Sequence, residues 1–440
     1  MRPASLVACG VALAIAAAAR PGHAGGYGIP EIGVRRTAMA SIIGRPDDLS
    51  AIYHNPAGLV LQHGWQLYAS FGLSLLDTGF QLAPWTGSDA LLGASAGTDG
   101  YYARVRPSRA YGVVPMLAAS VEVMPDRLVL GVGVFVGNAT GAAFDRAAVT
   151  RYHLIDGYVV APQAVVAAAY RLSDAITVGA SLGVIDVRIH EKREIYPILG
   201  SGFDIRGIFG SHAVAVLDGS SWEPTWMIAV FGRPAPRVSW GATVTGRVDA
   251  MPSGPIQITY SADAPNPGNV LSGTQTTNQL LPWAFMAGGN VDVTPNVELG
   301  AELRYWLYRQ YQAQHTDVVG ISLLATGLDA RKDYHDSWEA SGGVRVHDLA
   351  AAPALELMAG TQYDRTPAPP RTVTLDQPSF SHWGAHAGLR YRIGRYRLGA
   401  SYIHYWYDIP TITGSQTSPP SNIRGTGGNN IATASLEVAL

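Results

Sequence analysis

The feature that most constrains this chain is an alternation of apolar and polar residues, sustained with period two for ten residues or more at a time. Val297, Leu299, Ala301, Leu303, Tyr305 and Leu307 take one face of such a run, and Glu298, Gly300, Glu302, Arg304 and Trp306 take the other. Val238, Trp240, Ala242, Val244 and Val248 oppose Ser239, Gly241, Thr243, Thr245 and Arg247. At the C-terminus Ala432, Ala434, Leu436, Val438 and Leu440 oppose Thr433, Ser435 and Glu437. Period two is the mark of a strand with two unlike faces. Strands in soluble sheets average five or six residues, whereas a tilted strand crossing a bilayer needs about 9–11. In lipid every backbone N–H and C=O needs a partner inside the protein, so a sheet survives there only as a closed barrel.

The runs number about fourteen, at 64–76, 111–124, 127–140, 158–171, 174–189, 223–233, 236–248, 280–292, 296–309, 335–347, 353–363, 382–393, 396–407 and 430–440. Short turns at Pro125-Asp126, Leu172–Asp174, Pro234-Ala235, Thr294–Asn296, Asp348–Ala352 and Gly394-Arg395 alternate with long connections. That rhythm matches an outer-membrane barrel of fourteen antiparallel strands, with short periplasmic turns, long external loops and both ends in the periplasm. A large soluble β-sandwich or β-helix explains the alternation but neither the strand length nor the rhythm. Tyr305, Trp306, Tyr308 and Tyr311, with Tyr405–Tyr407, cluster beside long loops, and Tyr170, Tyr391 and Tyr396 flank short turns. Both groups suit the aromatic belts at a membrane surface.

Composition agrees. Only 15% of residues are charged, against about 25% in a typical soluble domain. A net charge of -2 excludes a basic nucleic-acid binder. The N-terminus reads as a secretory signal, with a positive Met1-Arg2, an apolar Leu6–Ala19 and small residues at Gly22–Ala24, so cleavage is expected after about Ala24. The single cysteine, Cys9, lies inside it, which leaves the mature chain without thiol chemistry. Residues 1–24 are thus assigned to the signal, 25–63 to a separate N-terminal segment and 64–440 to the barrel.

Residues 25–63 lack long alternation and carry two short helix-like pieces, Thr37–Ile43 and Asp48–Tyr53. Asp47 or Asp48 is placed to cap the second, and Asn55 before Pro56 ends it. A fourteen-stranded barrel is too wide for wall side chains alone to fill. The segment's Ile29, Ile32, Val34, Met39, Ile42, Ile43, Leu49 and Leu59 suit it to plug the lumen.

The order of motifs resembles the outer-membrane transporters of long-chain fatty acids and aromatic hydrocarbons, the FadL/TodX-type family. Gly26-Tyr27, Gly33, Ala38, Ala40, Asp48, Ser50 and Asn55-Pro56-Ala57-Gly58 are similar to that family's N-terminal hatch. Leu130–Gly137 resembles its third strand, Arg151-Tyr152 a pair in the loop that follows, and Asp336–Trp338, Gly360–Pro369, His382-Trp383 and Gly388–Tyr391 its last third. The resemblance implies passive uptake of poorly soluble molecules. Ligand would pass between external loops to an apolar pocket against the hatch, the hatch would shift, and a kink in the third strand would release the ligand sideways into the membrane. The implied hatch residues are Gly26, Tyr27, Asn55, Pro56, Ala57 and Gly58; the implied lateral gate comprises Gly131, Gly133, Phe135 and Gly137; the loop motif is Arg151 and Tyr152. The third strand departs from the family in lacking a proline near its end.

A structural or adhesive barrel is the alternative, but such an anchor has no need of a plug ending in Asn-Pro-Ala-Gly. Neither G-x-S-x-G nor H-E-x-x-H occurs, and the twelve histidines lack close metal-ligand spacing, so no enzyme activity, metal or cofactor is expected. The charge runs Asp145-Arg146, Glu191–Glu194 and Arg331–Asp333 read as solvated loop charges. The expected partners are a hydrophobic small molecule, outer-membrane lipid and the barrel-assembly machinery that reads the C-terminal strand. The protein is expected to act as a monomer.

Overall fold

The computed structural model describes residues 28–108, 110–195, 213–262 and 267–440. The expected signal segment, Gly26 and Tyr27 lie outside them. Fourteen strands form the wall: β1 (Trp65–Leu82), β2 (Tyr111–Met124), β3 (Leu128–Ala143), β4 (Asp156–Ser173), β5 (Ile176–Glu194), β6 (Ala213–Ala235), β7 (Val238–Thr245), β8 (Ala284–Thr294), β9 (Val297–Trp306), β10 (Ser337–Val346), β11 (Leu355–Arg365), β12 (Ser381–Ile393), β13 (Tyr396–Asp408) and β14 (Ile423–Ala439). Each pairs antiparallel with the next. β14 returns to β1 along a ladder from Gln66↔Ala439 to Leu82↔Ile423, which closes the sheet and leaves no edge. Every strand overlaps one of the alternating runs, and the six short and seven long connections fall as the sequence places them. Among the described residues no helix is long and apolar enough to cross a membrane.

The turns are built by local backbone chemistry. Asp126, between β2 and β3, and Gly394, between β12 and β13, take φ values of 56° and 57°. This left-handed region is open to glycine and tolerated by aspartate. On the opposite, external side the strands outrun the membrane. β1, β6 and β14 are longer than their alternating runs, and Ser253–Tyr260, Val270–Thr277, Ala313–Val319 and Leu328–Arg331 extend the sheet outward.

Burial inverts the pattern of a soluble protein. In β1 the large apolar Leu67, Phe71 and Leu75 are the exposed residues, while Gln66, Ser70 and Ser74 on the alternate positions are buried. In β5 Leu182 is 60% exposed and Ser181 8%. An apolar face this exposed is stable only against hydrocarbon, and the buried polar face looks into the lumen. The same parity divides the aromatics. Trp406, Tyr391 and Tyr396 face outward at the strand ends as belt residues, but Trp306, Tyr308, Tyr311 and Tyr405 are buried inside. The belt reading is therefore corrected for those four: Trp306 and Tyr405 sit on strand positions that alternate with the lipid face, and Tyr308 and Tyr311 lie beyond the end of β9, in and just after a 3-10 turn, where they are buried.

Candidate functional site

Residues 28–63 fill the lumen. They form α1 (Val34–Met39), α2 (Ala51–His54) and a 3-10 turn at Pro56–Leu61. α1 begins earlier than the expected helix and stops at Ala40, whose left-handed φ of 56° breaks the helical path. Before α2, Asp48 Oδ1 accepts the Ser50 backbone N–H at 2.9 Å. Asn55 then ends α2 and starts the 3-10 turn. Its Oδ1 accepts Ala57 N–H at 3.2 Å, and its Nδ2 donates to Ile43 O at 3.0 Å and to Val230 O of β6 at 3.2 Å. Pro56 occupies the first position of that turn, where a missing N–H costs nothing. Ala57 lies against Gly179 of β5, and a side chain at Gly58 would collide with Pro46. The Asn-Pro-Ala-Gly motif thus locks the segment to itself and to the β5–β6 wall.

The segment meets the wall with two unlike sides. Toward β2–β6 it presents Ile29, Ile32, Leu49, Ile52, Leu59 and Val60, all buried among Met116, Val129, Phe135, Val165 and Phe231. Ile52 fits over Gly131 and Gly133, where a Cβ would approach it to 3.1 and 3.0 Å. Tyr53 crosses Phe135 edge to face at 5.1 Å. Toward β8–β12 the contact is ionic. Arg36 binds Glu339 and donates to Gln362 at 2.9 Å, with Glu302 at 3.2 Å. Glu302 also accepts Arg304 at 2.8 Å and the Ile42 and Ile43 N–H groups at 2.8 and 3.0 Å. Nearer the periplasmic turns, Arg45 bridges Asp292 and Glu298 at 2.7 and 3.0 Å, and Asp47 lies between Arg345 at 2.6 Å and Arg390 at 3.1 Å.

One interruption breaks the wall on the apolar side. β2 and β3 pair from Met124↔Leu128 to Met116↔Phe135 and no further, while β3 continues its ladder with β4 to Ala143. Tyr111–Pro115 of β2 pair with β1. A hydrogen bond from Ser108 N to Ala143 O rejoins the two sides above the gap. β3 bulges between Val136 and Asn138, at Gly137. The proline absent from β3 is present in its neighbours. Pro115 stands one position beyond the last β2–β3 rung, and Pro162 of β4 lies opposite Val136. Pro115 has no N–H to donate where the β2–β3 ladder ends, whereas Pro162 keeps its place opposite Val136 and instead interrupts the β4–β5 ladder between Val160↔Arg188 and Gln163↔Ile185. The N-terminal segment takes up the freed acceptor: Ile29 N donates to Gly137 O at 2.9 Å, and Gly28 bridges Asn138. Gly131 and Gly133 stay in register on both sides.

A cavity of about 80 Å³ lies beside this bulge, on the external side of the segment. Ile29, Ile52 and Tyr53 line it from the segment, and Phe135, Trp226 and Trp306 from the wall. A wider, charged cavity of about 200 Å³ opens among the external loops between His190, Glu191, Arg193, Asp329, Arg331 and Asp376. Arg151 and Tyr152 belong to neither. Arg151 ties Glu194 at 2.8 Å to Leu91 O at 2.7 Å and packs over the buried Tyr152, so the pair braces two external connections and the outer end of β5. His153, beside Trp85, is driven down to about 3 by burial, with Arg193 adding to the effect, and stays neutral. Two of the expected solvated charges are instead internal: Glu194 pairs with Arg151, and Lys332 is fully buried against Gln377 at 3.0 Å.

The structure therefore brings Asn55–Gly58, Gly131, Gly133, Phe135 and Gly137 around one side of the lumen and places Arg151-Tyr152 apart from them. Neither the ionic side of the segment nor the cavity's Trp226 is singled out by the sequence, which places Trp306 in the belt instead. The inward-facing acids and bases of β9 signalled the first; nothing local signalled the second.

Residues 15–406 match the family described as outer membrane protein transport protein (OMPP1/FadL/TodX). A search of curated proteins by sequence finds no match. Among solved structures, a FadL homologue from Pseudomonas aeruginosa superposes with a TM-score of 0.77 at 14% identity, over 94% of this chain and 99% of that one. The toluene transporters TodX of Pseudomonas putida and TbuX of Ralstonia pickettii give 0.68 and 0.66, each at 14% identity, over 94% and 95% of this chain and 99% of theirs. Identity this low speaks to the fold alone.

Proposed function

Because this chain belongs to the OMPP1/FadL/TodX family of outer-membrane transport proteins, we propose that it is a passive channel through which hydrophobic small molecules cross the outer leaflet and leave sideways into the membrane. The family is one of transporters and not of enzymes. The observation that carries lateral release is the interrupted β2–β3 ladder at Gly137, beside the cavity and under the apolar side of the segment.

The physical course follows from the two sides. An apolar solute gains by leaving water for the cavity and then for the bilayer interior, so no ATP or ion gradient is needed. The opposite, periplasmic route is closed by buried ion pairs, which an apolar solute cannot replace. Residues 28–63 serve as the hatch. Ile29 and Tyr53 hold the bulged carbonyl of Gly137 at 2.9 and 3.4 Å, so a small shift of the hatch on its apolar side frees the gap. In this reading the protein works as a monomer in outer-membrane lipid, inserted by the barrel-assembly machinery; the closed β1–β14 seam supports a self-sufficient barrel.

The test is Gly137→Val. A Cβ there would lie 2.5 Å from Gln163 Nε2 and 2.9 Å from the Tyr53 ring, and so would fill the gap. Uptake of a lipophile into proteoliposomes without ATP or membrane potential should fall several-fold, while the barrel keeps its heat-modifiable mobility on gels. Unchanged uptake, or uptake that needs an energy source, would contradict the reading.

A further inference from the structure

The chemistry lining the inner cavity narrows the ligand class. This deepens the transport reading and rests on it. None of the described residues that line the cavity is an acid, a base or a histidine. The ionic network lies on the far side of the hatch, and the charges of the outer cavity, from His190 to Asp376, are absent here. A carboxylate entering the inner cavity would meet no counter-charge, and an unpaired ion buried in such surroundings is strongly excluded.

The lining is nevertheless not wholly apolar. Asn138 and Gln163 contribute amides, and Ser181, Thr225 and Thr245, the last at the end of β7, carry hydroxyls. Thr245 Oγ1 is buried without a hydrogen-bond partner among the described residues. A buried hydroxyl left unpaired is a standing penalty, and a ligand donor or acceptor relieves it once the lining shifts enough to open Thr245 Oγ1 to the cavity. Volume sets the third limit. The cavity measures about 80 Å³, whereas an apolar cavity of roughly 150 Å³ accepts one benzene ring. Met227 and Met286 in the lining have the flexible side chains that let one ring enter by local adjustment. A long acyl chain demands far more space.

We infer that the inner cavity takes a compact, uncharged single-ring lipophile that carries one hydrogen-bonding group, such as a phenol, in preference to a fatty acid or a bare hydrocarbon. Neutrality also suits the exit, since the next step at Gly137 is into hydrocarbon.

The experiment is calorimetric titration of the mature chain in lipid nanodiscs, with empty nanodiscs as the blank, using p-cresol, toluene, benzoate and palmitate. The expected result is p-cresol binding about three- to tenfold more tightly than toluene, and benzoate about a hundredfold or more weakly than p-cresol. Palmitate should not compete with p-cresol. Thr245→Val should bring the p-cresol-to-toluene ratio close to one, and Gln163→Leu serves the same purpose where the first variant fails to fold. Benzoate or palmitate binding as well as p-cresol, or toluene binding best, overturns the inference while leaving transport intact. Failure of every lipophile both to bind and to enter proteoliposomes would instead bring down the transport reading beneath it.

Discussion

The two sides of the N-terminal segment are held against the wall by opposite physics. Toward β2–β6 the contact is Ile52, Leu59, Ile29 and Tyr53 on glycines and aliphatic side chains. Toward β8–β12 it is Arg35, Arg36, Arg45 and Asp47 against Glu298, Glu302, Glu339, Arg345 and Arg390. Apolar contacts are non-directional and tolerate sliding. Buried ion pairs do not, because a displaced partner leaves an uncompensated charge. In the proposed mechanism the segment is therefore hinged by charge on one side and gives on the other, and the ladder interruption and the cavity both lie on the apolar side.

Three substitutions sharpen that contrast. The largest effect is expected from Arg36→Met, which leaves the buried Glu339 with only the longer contact to Arg304 at 3.7 Å and removes half of the partnership of Glu302; loss of one member of a buried pair costs about 3–5 kcal/mol. Ion conductance in planar bilayers should rise and residues 28–63 should become accessible to protease, while Arg36→Met with Glu339→Met together should recover much of the seal. A silent single variant would mean that charge does not pin this side. Ile52→Ala removes a fully buried side chain over Gly131 and Gly133, at a cost of about 2–4 kcal/mol. It should alter lipophile uptake and leave ion conductance low; a leak comparable to that of Arg36→Met would erase the distinction between the sides. Asn55→Ala removes one cap and two carbonyl contacts, with an expected cost of about 0.5–2 kcal/mol. Hydrogen exchange should quicken at Ala57 and Gly58 with little change elsewhere, and uniform exchange across the segment would deny the motif its local role.

The wall was legible in the sequence because strand parity is a local property. Each of Val297–Leu307 states its own face, and six short turns carry their own punctuation. The Asn55–Gly58 lock was legible for the same reason, since its cap spans only two residues. The ionic side was legible by half: Glu298, Glu302 and Arg304 showed a polar inward face, but their partners Arg35, Arg36 and Arg45 lie more than 250 positions away along the chain. The weak place in the wall was sought in the glycines of β3. Gly137 does carry the bulge, while the β2–β3 ladder ends at Pro115 on the flanking strand β2, visible in the sequence as a proline inside an otherwise regular run. The inner cavity has no local signature, because it is assembled from the segment, every strand from β3 to β9 and the connection between β7 and β8 together.

The central claim is the direction of exit. It is tested most directly by irradiating the wild-type protein in nanodiscs with a diazirine-bearing phenol and mapping the labelled peptides by mass spectrometry. The account predicts labels on the cavity and on the flanks of the gap, at Val113–Pro115 and Val136–Asn138, and in the surrounding lipid. Labels concentrated along the periplasmic path past Arg45, Asp47, Asp292 and Arg345 would contradict it.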